Sequence, residues 1–556
     1  MDYSKIIGIN DKKIFFEMIG IKYNIVTYIL YKKGIDSFYE GKQLPKKDGG
    51  LRDISIPLGE LKHVQKKIFI FLSEYSEYLE KNRNTRIVSG HAFIKGKSII
   101  TNAKYHINKR YVMNFDLKDF FPSIHFGRIV GYFKNNKNFI FSEDIAIMLA
   151  QLMCYKGALP QGTSTSPIMS NLILHILDCK LYKLAKKYKL LYTRYADDLT
   201  FSTNYKKFES ENYASFVREF NNEITRAGFK LNENKTRIQY NNSRQEVTGL
   251  TVNKRINISR EYYKTTRAMA DSFYRNGTFY INENEGTIDR LDGRFSFIYM
   301  VDKSVSLMYK KKNKLYNHMK DYEKFCYYKT FYANYYPLII TEGKTDVRYL
   351  KAALMKHYKD YPELITKNGE KFIFSFKFFK RKQLYKDLLK IELDGADTLI
   401  SIPCYANGKS GYINYNQIFN EISVNKKAKN PVIIILDNEA HSDRPLSKFL
   451  KTYNNIKEVI ESDKMARIIN NANYYLIVND LVPGKDESEI EDLFDTETLS
   501  HIDEGGRRFN RTENYDSKIE YGKNDFSKYI ISNFKNINFE NFLPILDRIR
   551  KIIKEY

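Results

Sequence analysis

Apolar positions in residues 1–35 fall at helical spacing: Ile6, Ile7 and Ile9, then Phe15, Phe16 and Met18, then Ile25, Val26 and Ile29. The period then changes. "LPKKDGGLRDISIP" (44–57) sets a Gly-Gly turn between two short alternating segments and predicts a hairpin, and "ELKHVQKKIFIFLSEY" after it predicts an amphipathic helix. From 111 to 260 strand-like and helix-like runs alternate, and a basic, aromatic, helix-rich stretch continues to about 333. Beyond it, "PLIITEGKTDVRYLKAAL" (337–354) and "NPVIIILDNEA" (430–440) contain near-continuous apolar runs that end in acids, the pattern of strands covered on both faces in a parallel sheet. A domain boundary is expected near 325–336.

Composition narrows the partner. A chain of 556 residues exceeds one ordinary core and predicts two to four domains. The net charge of +25, from 91 Lys and Arg against 66 Asp and Glu, favours a polyanion, and 45 Tyr with 37 Phe add stacking surface for bases. Nucleic acid is the expected partner. Cys154, Cys179, Cys326 and Cys404 have no paired spacing, which argues against a zinc site or disulfide framework and fits a reducing compartment. No apolar h-region opens the chain and no run of 18 apolar residues follows, so a soluble, cytoplasmic protein with no membrane partner is expected.

Two motifs gather acids where strands are predicted. "YVMNFDLKDFFPSI" (111–124) delivers Asp116 at the end of an apolar run, and "LLYTRYADDLTFST" (190–203) sets Asp197 beside Asp198, with Tyr192, Leu199 and Phe201 to pack the flanking hairpin. Any one of these aspartates is ordinarily a turn or cap residue. Three carboxylates from two strands suit a pair of Mg²⁺ ions, which phosphoryl transfer uses to neutralise the attacking and leaving oxygens. Successive side chains leave opposite faces of a strand, so Asp197 is expected to be engaged more firmly than Asp198.

Between these motifs lies "GALPQGTSTSPIMSNLIL" (157–174), and after them "GFKLNENKT" (228–236). The ordered set resembles the palm motifs of reverse transcriptases, and "NAKYH" (102–106) with "VTG" (247–249) resembles the elements that mark the retron branch. The likeness spans roughly residues 20–320. It implies an α+β right-hand polymerase with N-terminal helices and fingers in 1–110, palm in 111–255 and an RNA-binding thumb in 256–333. Asp116, Asp197, Asp198 and the Leu117 carbonyl would hold Mg²⁺. Arg52 would clamp the triphosphate of a dNTP, Gln161 would face the nucleotide, and Phe121 would be the aromatic gate against a ribose 2′-OH. Lys235 would protonate pyrophosphate, with an ordinary surface lysine as its other reading. Asn102, His106, Val247, Thr248 and Gly249 would contact structured RNA, although a buried structural role is the ordinary reading of a lone His106.

"IITEGKTDVRYL" and "IIILDNEA" resemble the Toprim fold of topoisomerases, primases and related nucleases, implying an α/β domain with a parallel sheet in 334–500 and a helical extension in 501–556. Glu342 would be an acid/base or metal ligand. Asp437 and Glu439 would bind Mg²⁺ or Mn²⁺, with Glu439 one methylene longer than the usual Asp. Asp346 is a further ligand or the cap of its own helix. "DESEIEDLF" (486–494) makes Glu491 and Asp492 second-metal candidates, or simple acids at a helix N-terminus. Lys523 in "EYGKNDF" (520–526) matches a lysine of the nuclease branch.

Together the resemblances imply a retron reverse transcriptase fused to a Toprim effector nuclease, acting in bacterial antiphage defence. It would make a branched RNA–DNA (msDNA) from its own noncoding RNA. A host ribonuclease H would remove the template, and self-association, the choice of RNA or DNA as Toprim target and the phage trigger stay open. Two other classes compete: a primase-like or topoisomerase-like Toprim protein, and an RNA-binding scaffold without catalysis.

Overall fold

The N-terminal helical pattern is broken in three by its own sequence. Lys12–Met18 (α1), capped by the Asp11 side chain on the Ile14 amide, stops at Gly20 (φ 75°), and Tyr23–Thr27 (α2) and a wider turn Tyr28–Lys33 follow. α1 together with Tyr23–Lys33 is apolar enough to pass a span test only as a pair bent by 111°, and no single helix among the described residues does. Phe15, Phe16, Val26 and Ile29 lie instead in the protein core.

The computed structural model describes residues 3, 6–45, 49–83, 90–308, 317–439, 441, 444–512 and 514–556, which cluster into two units, Met1–Arg260 and Glu261–Tyr556. In the first, Tyr39–Pro45 (β1) and Leu51–Pro57 (β2) form the expected antiparallel hairpin, with Leu44 opposite Arg52; its tip, 46–48, lies outside the described residues. The amphipathic helix is Gly59–Arg83 (α3), burying Leu61, Val64, Ile68, Phe71 and Leu72. The heart of the unit is a four-stranded antiparallel sheet of Tyr111–Asp116 (β3), Leu191–Tyr195 (β4), Asp198–Thr203 (β5) and Arg237–Tyr240 (β6), in the order β4-β5-β3-β6. Phe115 and Phe201 pack on Phe216 and Phe220 of Tyr213–Arg226, with ring centroids 4.6–6.4 Å apart, and each buried ring contributes about 2 kcal/mol. The sheet edge that carries the acids is therefore fixed from beneath by aromatic packing.

The second unit holds a five-stranded sheet of Leu338–Thr341 (β7), Lys377–Phe378 (β8), Val432–Leu436 (β9), Met465–Arg467 (β10) and Tyr474–Val478 (β11), ordered β8-β7-β9-β11-β10. All neighbours are parallel except the edge pair β10/β11. Every residue of β9 is buried, as a strand covered on both faces must be. Helix Leu543–Glu555 contributes Ile545, Leu546 and Ile549 to the core shared with Ile339, Ile433 and Ile477, so the C-terminal extension is part of one body.

The chain divides at 260, and residues 261–333 fall in the second unit. Their last helical turns enter its core, where the Tyr327 and Tyr474 hydroxyls meet at 2.6 Å, the Tyr415 hydroxyl donates to Glu323 at 2.9 Å, and Asn473 donates to the Phe331 carbonyl at 2.8 Å. The change of texture near 335 marks a change of layer within one unit.

Two candidate acidic sites

The first site is built by register. In the β3/β5 pair Asp116 lies directly opposite Asp198, and in the β4/β5 pair Asp198 lies opposite Tyr195, leaving Ala196 and Asp197 as the turn. Ala196 takes φ 57°, a left-handed value that a residue with a Cβ adopts only under constraint. The Leu117 amide donates to the Asp197 carbonyl at 3.1 Å and ties the end of β3 to that turn. Tyr192, Leu199 and Phe201 are buried and pack the hairpin as the sequence predicts.

Charge is concentrated here without full compensation. Asp116 is buried, and its carboxylate accepts from the Asn232 side chain at 3.2 Å and from Lys235 at 3.1 Å. Asp198 opens on a cleft of about 510 Å³ yet is surrounded by protein; desolvation, then repulsion from Asp197 and Asp116, pushes its carboxyl up to about 7. Asp197 is raised by burial and by Asp116, while Lys235 and Arg52 pull it back. Desolvation works against the Lys235 ammonium, but Asp116 beside it prevails and holds the proton more tightly. Asn232 and Arg237, which also reaches Asp198, went unassigned in the sequence; Asn232 stands three residues before Lys235 in the same motif, a usable signal.

Gln161 is held against the fingers hairpin, its carbonyl accepting from the Ser55 amide at 2.7 Å. The approach depends on Gly162, at φ 113°, where a Cβ would stand 2.7 Å from Ile54 Cγ2 and 2.8 Å from the Ser55 carbonyl. Arg52 is exposed on β2, and Phe121 is half-buried with its ring 5.0 Å from that of Phe120.

Three of the residues expected to contact RNA have buried side chains. His106 is wholly buried, with one ring nitrogen 2.7 Å from Ser202 Oγ and the other 2.7 Å from Thr193 Oγ1; burial lowers its pKa to about 3, so it is a neutral tie onto the sheet. Asn102 and Val247 are also fully buried. Thr248 (φ 48°) and Gly249 (φ 83°) remain accessible and line the cleft with Asp116 and Asp198.

In the second unit, Glu342 leaves the end of β7, Asp346 begins Asp346–Lys356, Asp437 leaves the end of β9, and Glu489 and Glu491 come from a later loop and turn. Asp346 is the first residue of its helix and closes the turn before it: its carboxylate accepts from the Gly343 amide at 2.7 Å and from the Thr345 hydroxyl at 3.2 Å. Asp437 accepts from Asn479 at 2.7 Å and the Ile490 amide at 2.9 Å, and its own amide donates to Glu342 at 3.4 Å. Burial, then repulsion from Asp346, Glu342 and Glu491, lifts Asp437 far above the carboxylate range, while burial leads in raising Glu342 to about 7. Lys523 bridges Glu489 at 2.9 Å and Glu491 at 3.2 Å. Glu489 was missed; it is the N-cap of the short turn that carries Glu491, and Lys523 draws the two together.

Two expected ligands turn elsewhere. Asp492 pairs with Lys485 at 2.6 Å and with Arg511, and these cations overcome desolvation and hold its carboxyl below the usual range. Glu439 pairs with Arg444 at 3.2 Å. Both sites offer hard oxygen donors, which suit Mg²⁺ in chemistry. Among the described residues, however, no three His, Cys, Asp or Glu side chains converge as they stand on a single ion position, so a cation would have to draw the acids inward.

With the sheet, turn and cleft in view, residues 44–253 match the family reverse transcriptase (RNA-dependent DNA polymerase). More particularly, this half of the chain is similar in sequence to retron reverse transcriptases. It is 32% identical over 277 residues to retron Mx65 reverse transcriptase of Myxococcus xanthus, covering 47% of this chain and 60% of that protein. It is 35% identical over 212 residues to retron Ec86 reverse transcriptase of Escherichia coli, covering 38% and 62%. The chain thus spans about 60% of the length of these curated relatives. Among solved structures, apo telomerase from Candida tropicalis aligns over 52% of this chain and 60% of that chain, at 14% identity and a TM-score of 0.30.

Proposed function

We propose that the chain is a retron reverse transcriptase with a fused Toprim effector: an RNA-directed DNA polymerase that copies its own noncoding RNA, from dNTPs, into branched msDNA. The observation that carries the polymerase half is the meeting of Asp116, Asp198 and Lys235 at one cleft, with Asp197 on the adjoining turn, inside the stretch that matches reverse transcriptases. Mg²⁺ ions held by the three aspartates and the Leu117 carbonyl would supply charge neutralisation for phosphoryl transfer. The protein's own groups do the rest. Arg52, whose charge reaches Asp197, binds the triphosphate; Gln161 supports the incoming nucleotide; Phe121 excludes a 2′-OH; Lys235, which keeps its proton, gives it to pyrophosphate.

For the second unit the supporting observation is the acid set Glu342, Asp346, Asp437 and Glu491 gathered at the carboxyl ends of parallel strands, where open α/β sheets bind ligands. The proposed activity is Mg²⁺- or Mn²⁺-dependent phosphodiester cleavage of RNA or DNA, used against phage infection, with residues 256–333 serving as RNA-binding thumb. Glu439, already neutralised by Arg444, favours a second reading of this unit as a binding module without cleavage.

The test is purification from cells carrying the native flanking DNA, then digestion of the bound nucleic acid with ribonuclease and deoxyribonuclease. Short DNA that survives ribonuclease and bears one branched nucleotide is the expected result. Bound RNA with no covalently joined DNA rules out the retron reading. Growth arrest that persists in Glu342→Ala assigns the second unit to the binding reading.

A further inference from the structure

Arg194 is wholly buried, two residues before the acidic turn, and its partner Asp178 is 2% exposed. A buried ion pair is a poor device for stability, because desolvation of both charges offsets most of their attraction. What this pair does is geometric. Arg194 Nε donates to Asp178 Oδ1 at 2.9 Å and Nη2 donates to Oδ2 at 2.7 Å, a two-pronged contact that fixes the guanidinium plane. The remaining nitrogen, Nη1, donates to Asn171 Oδ1 and to the Ala196 carbonyl, each at 3.1 Å. Asp178 also accepts from the Tyr192 hydroxyl at 2.7 Å, and Asn171 donates to the Ala92 carbonyl at 2.9 Å.

We propose that the Asp178–Arg194 pair is the positioning device of the acidic turn, clamping the left-handed Ala196 so that Asp197 and Asp198 stay aimed at Asp116. Ala196 is the one residue of the turn whose φ, at 57°, resists its own Cβ. Its carbonyl is held by Arg194 and the next carbonyl, that of Asp197, by the Leu117 amide, so two successive peptides are tied to two different walls. Asp178 and Asn171 both lie on Thr165–Lys187, the helix that follows the Gln161 loop, so one rigid element sets the nucleotide-side loop and the acids together. A lysine at 194 could neutralise Asp178 but has no planar fork to reach Ala196 as well. The catalytic part of this inference rests on the polymerase reading above; the structural part does not.

The experiment uses the full chain. Asp178→Leu with Arg194→Met removes both charges together and fills their volume, a replacement that buried pairs tolerate. Hydrogen exchange of the metal-free protein is read over 192–199 and over 165–187. The turn amides are expected to exchange at least about ten-fold faster, with the helix unchanged. Primer extension is expected to lose kcat by at least about ten-fold with little change in the KM for dNTP, as when an interaction made only in the transition state is lost. A folded double variant whose turn exchanges as slowly as in the parent overturns the proposal. If the double variant does not fold, Arg194→Lys decides: faster turn exchange supports the clamp, unchanged exchange overturns it. A parent protein that never extends a primer counts against the polymerase reading alone, because the exchange measurement still judges the clamp.

Discussion

The two acidic sites gather similar charge by opposite means. In the first unit Asp116 and Asp198 lie opposite each other on paired strands beside an open cleft, with Asp197 on the adjoining turn and Lys235 and Asn232 as the close donors to Asp116. In the second, Asp346, Asp437 and Glu491 are each already engaged by an amide, an asparagine or Lys523. The first is poised to exchange its donor for a cation, whereas the second has its negative charge braced from within. Substitutions should therefore act mainly on chemistry in the first site and mainly on stability in the second.

The largest effect is expected from Asp197→Asn, which should lower primer extension about 1000-fold, the several kcal/mol carried by a metal-held transition-state charge. Asp198→Asn should lose about ten-fold less, because neighbouring side chains leave a strand on opposite faces and only one of the pair is expected to be firmly engaged. Single-turnover extension with a fixed primer–template measures both. Equal losses would remove the inequality between the two neighbours.

Next in size is a contrast between lysines. Lys523→Met leaves Glu489 and Glu491 without their shared cation and should destabilise the second unit by about 2 kcal/mol, discounted from a fully buried pair because the ammonium is partly open. Lys235→Met removes an ion pair whose lysine is 58% exposed and should change the stability of the first unit by at most about 1 kcal/mol. Hydrogen exchange in 489–494 and in 232–240 reads each unit separately. A larger loss at Lys235 would invert the comparison.

Much of the first site was legible because its residues are contiguous: Asp116, Asp197, Asp198 and Lys235 each sit in a short motif, and the strands that carry them obey the two-residue period. What sequence could not show is which side chains turn inward. Asn102 and His106 look like polar contacts until the helix that bears them closes on the sheet, and His106 then bonds Thr193 and Ser202 from two strands. In the second unit the Tyr327 and Tyr474 hydroxyls meet across 147 residues, and local texture carries no trace of that contact.

pH separates the sites from their surroundings. Asp198 and Glu342 are each raised to about 7, so the folded chain prefers them protonated. The stability they confer is full below the ordinary carboxylate values near 4 and is lost as pH rises through about 7. In EDTA both units should be more stable at pH 5 than at pH 8. Asp198→Asn and Glu342→Gln should each recover about 1 kcal/mol at pH 8, a figure reduced for the solvent that reaches both side chains, and less than half of that at pH 5, which lies only just above the ordinary carboxylate values. Thermal unfolding of parent and variants at the two pH values decides this; variants that gain equally at both would show that repulsion and burial are not the cause.

The smallest effects come from exchanging alanine and glycine in opposite directions at the two sites. Ala196→Gly relieves about 1 kcal/mol of left-handed strain but adds comparable entropy to the unfolded chain, so its melting temperature should hardly move. Gly343→Ala places a Cβ 3.0 Å from Asp346 Oδ1, inside the contact by which the Gly343 amide holds that carboxylate. The crowding should cost about 1 kcal/mol and be seen in thermal unfolding as a small loss confined to the second unit. A silent Gly343→Ala would mean that Asp346 can move away from its own turn, which would free it to serve as a ligand and bring the second site closer to the first.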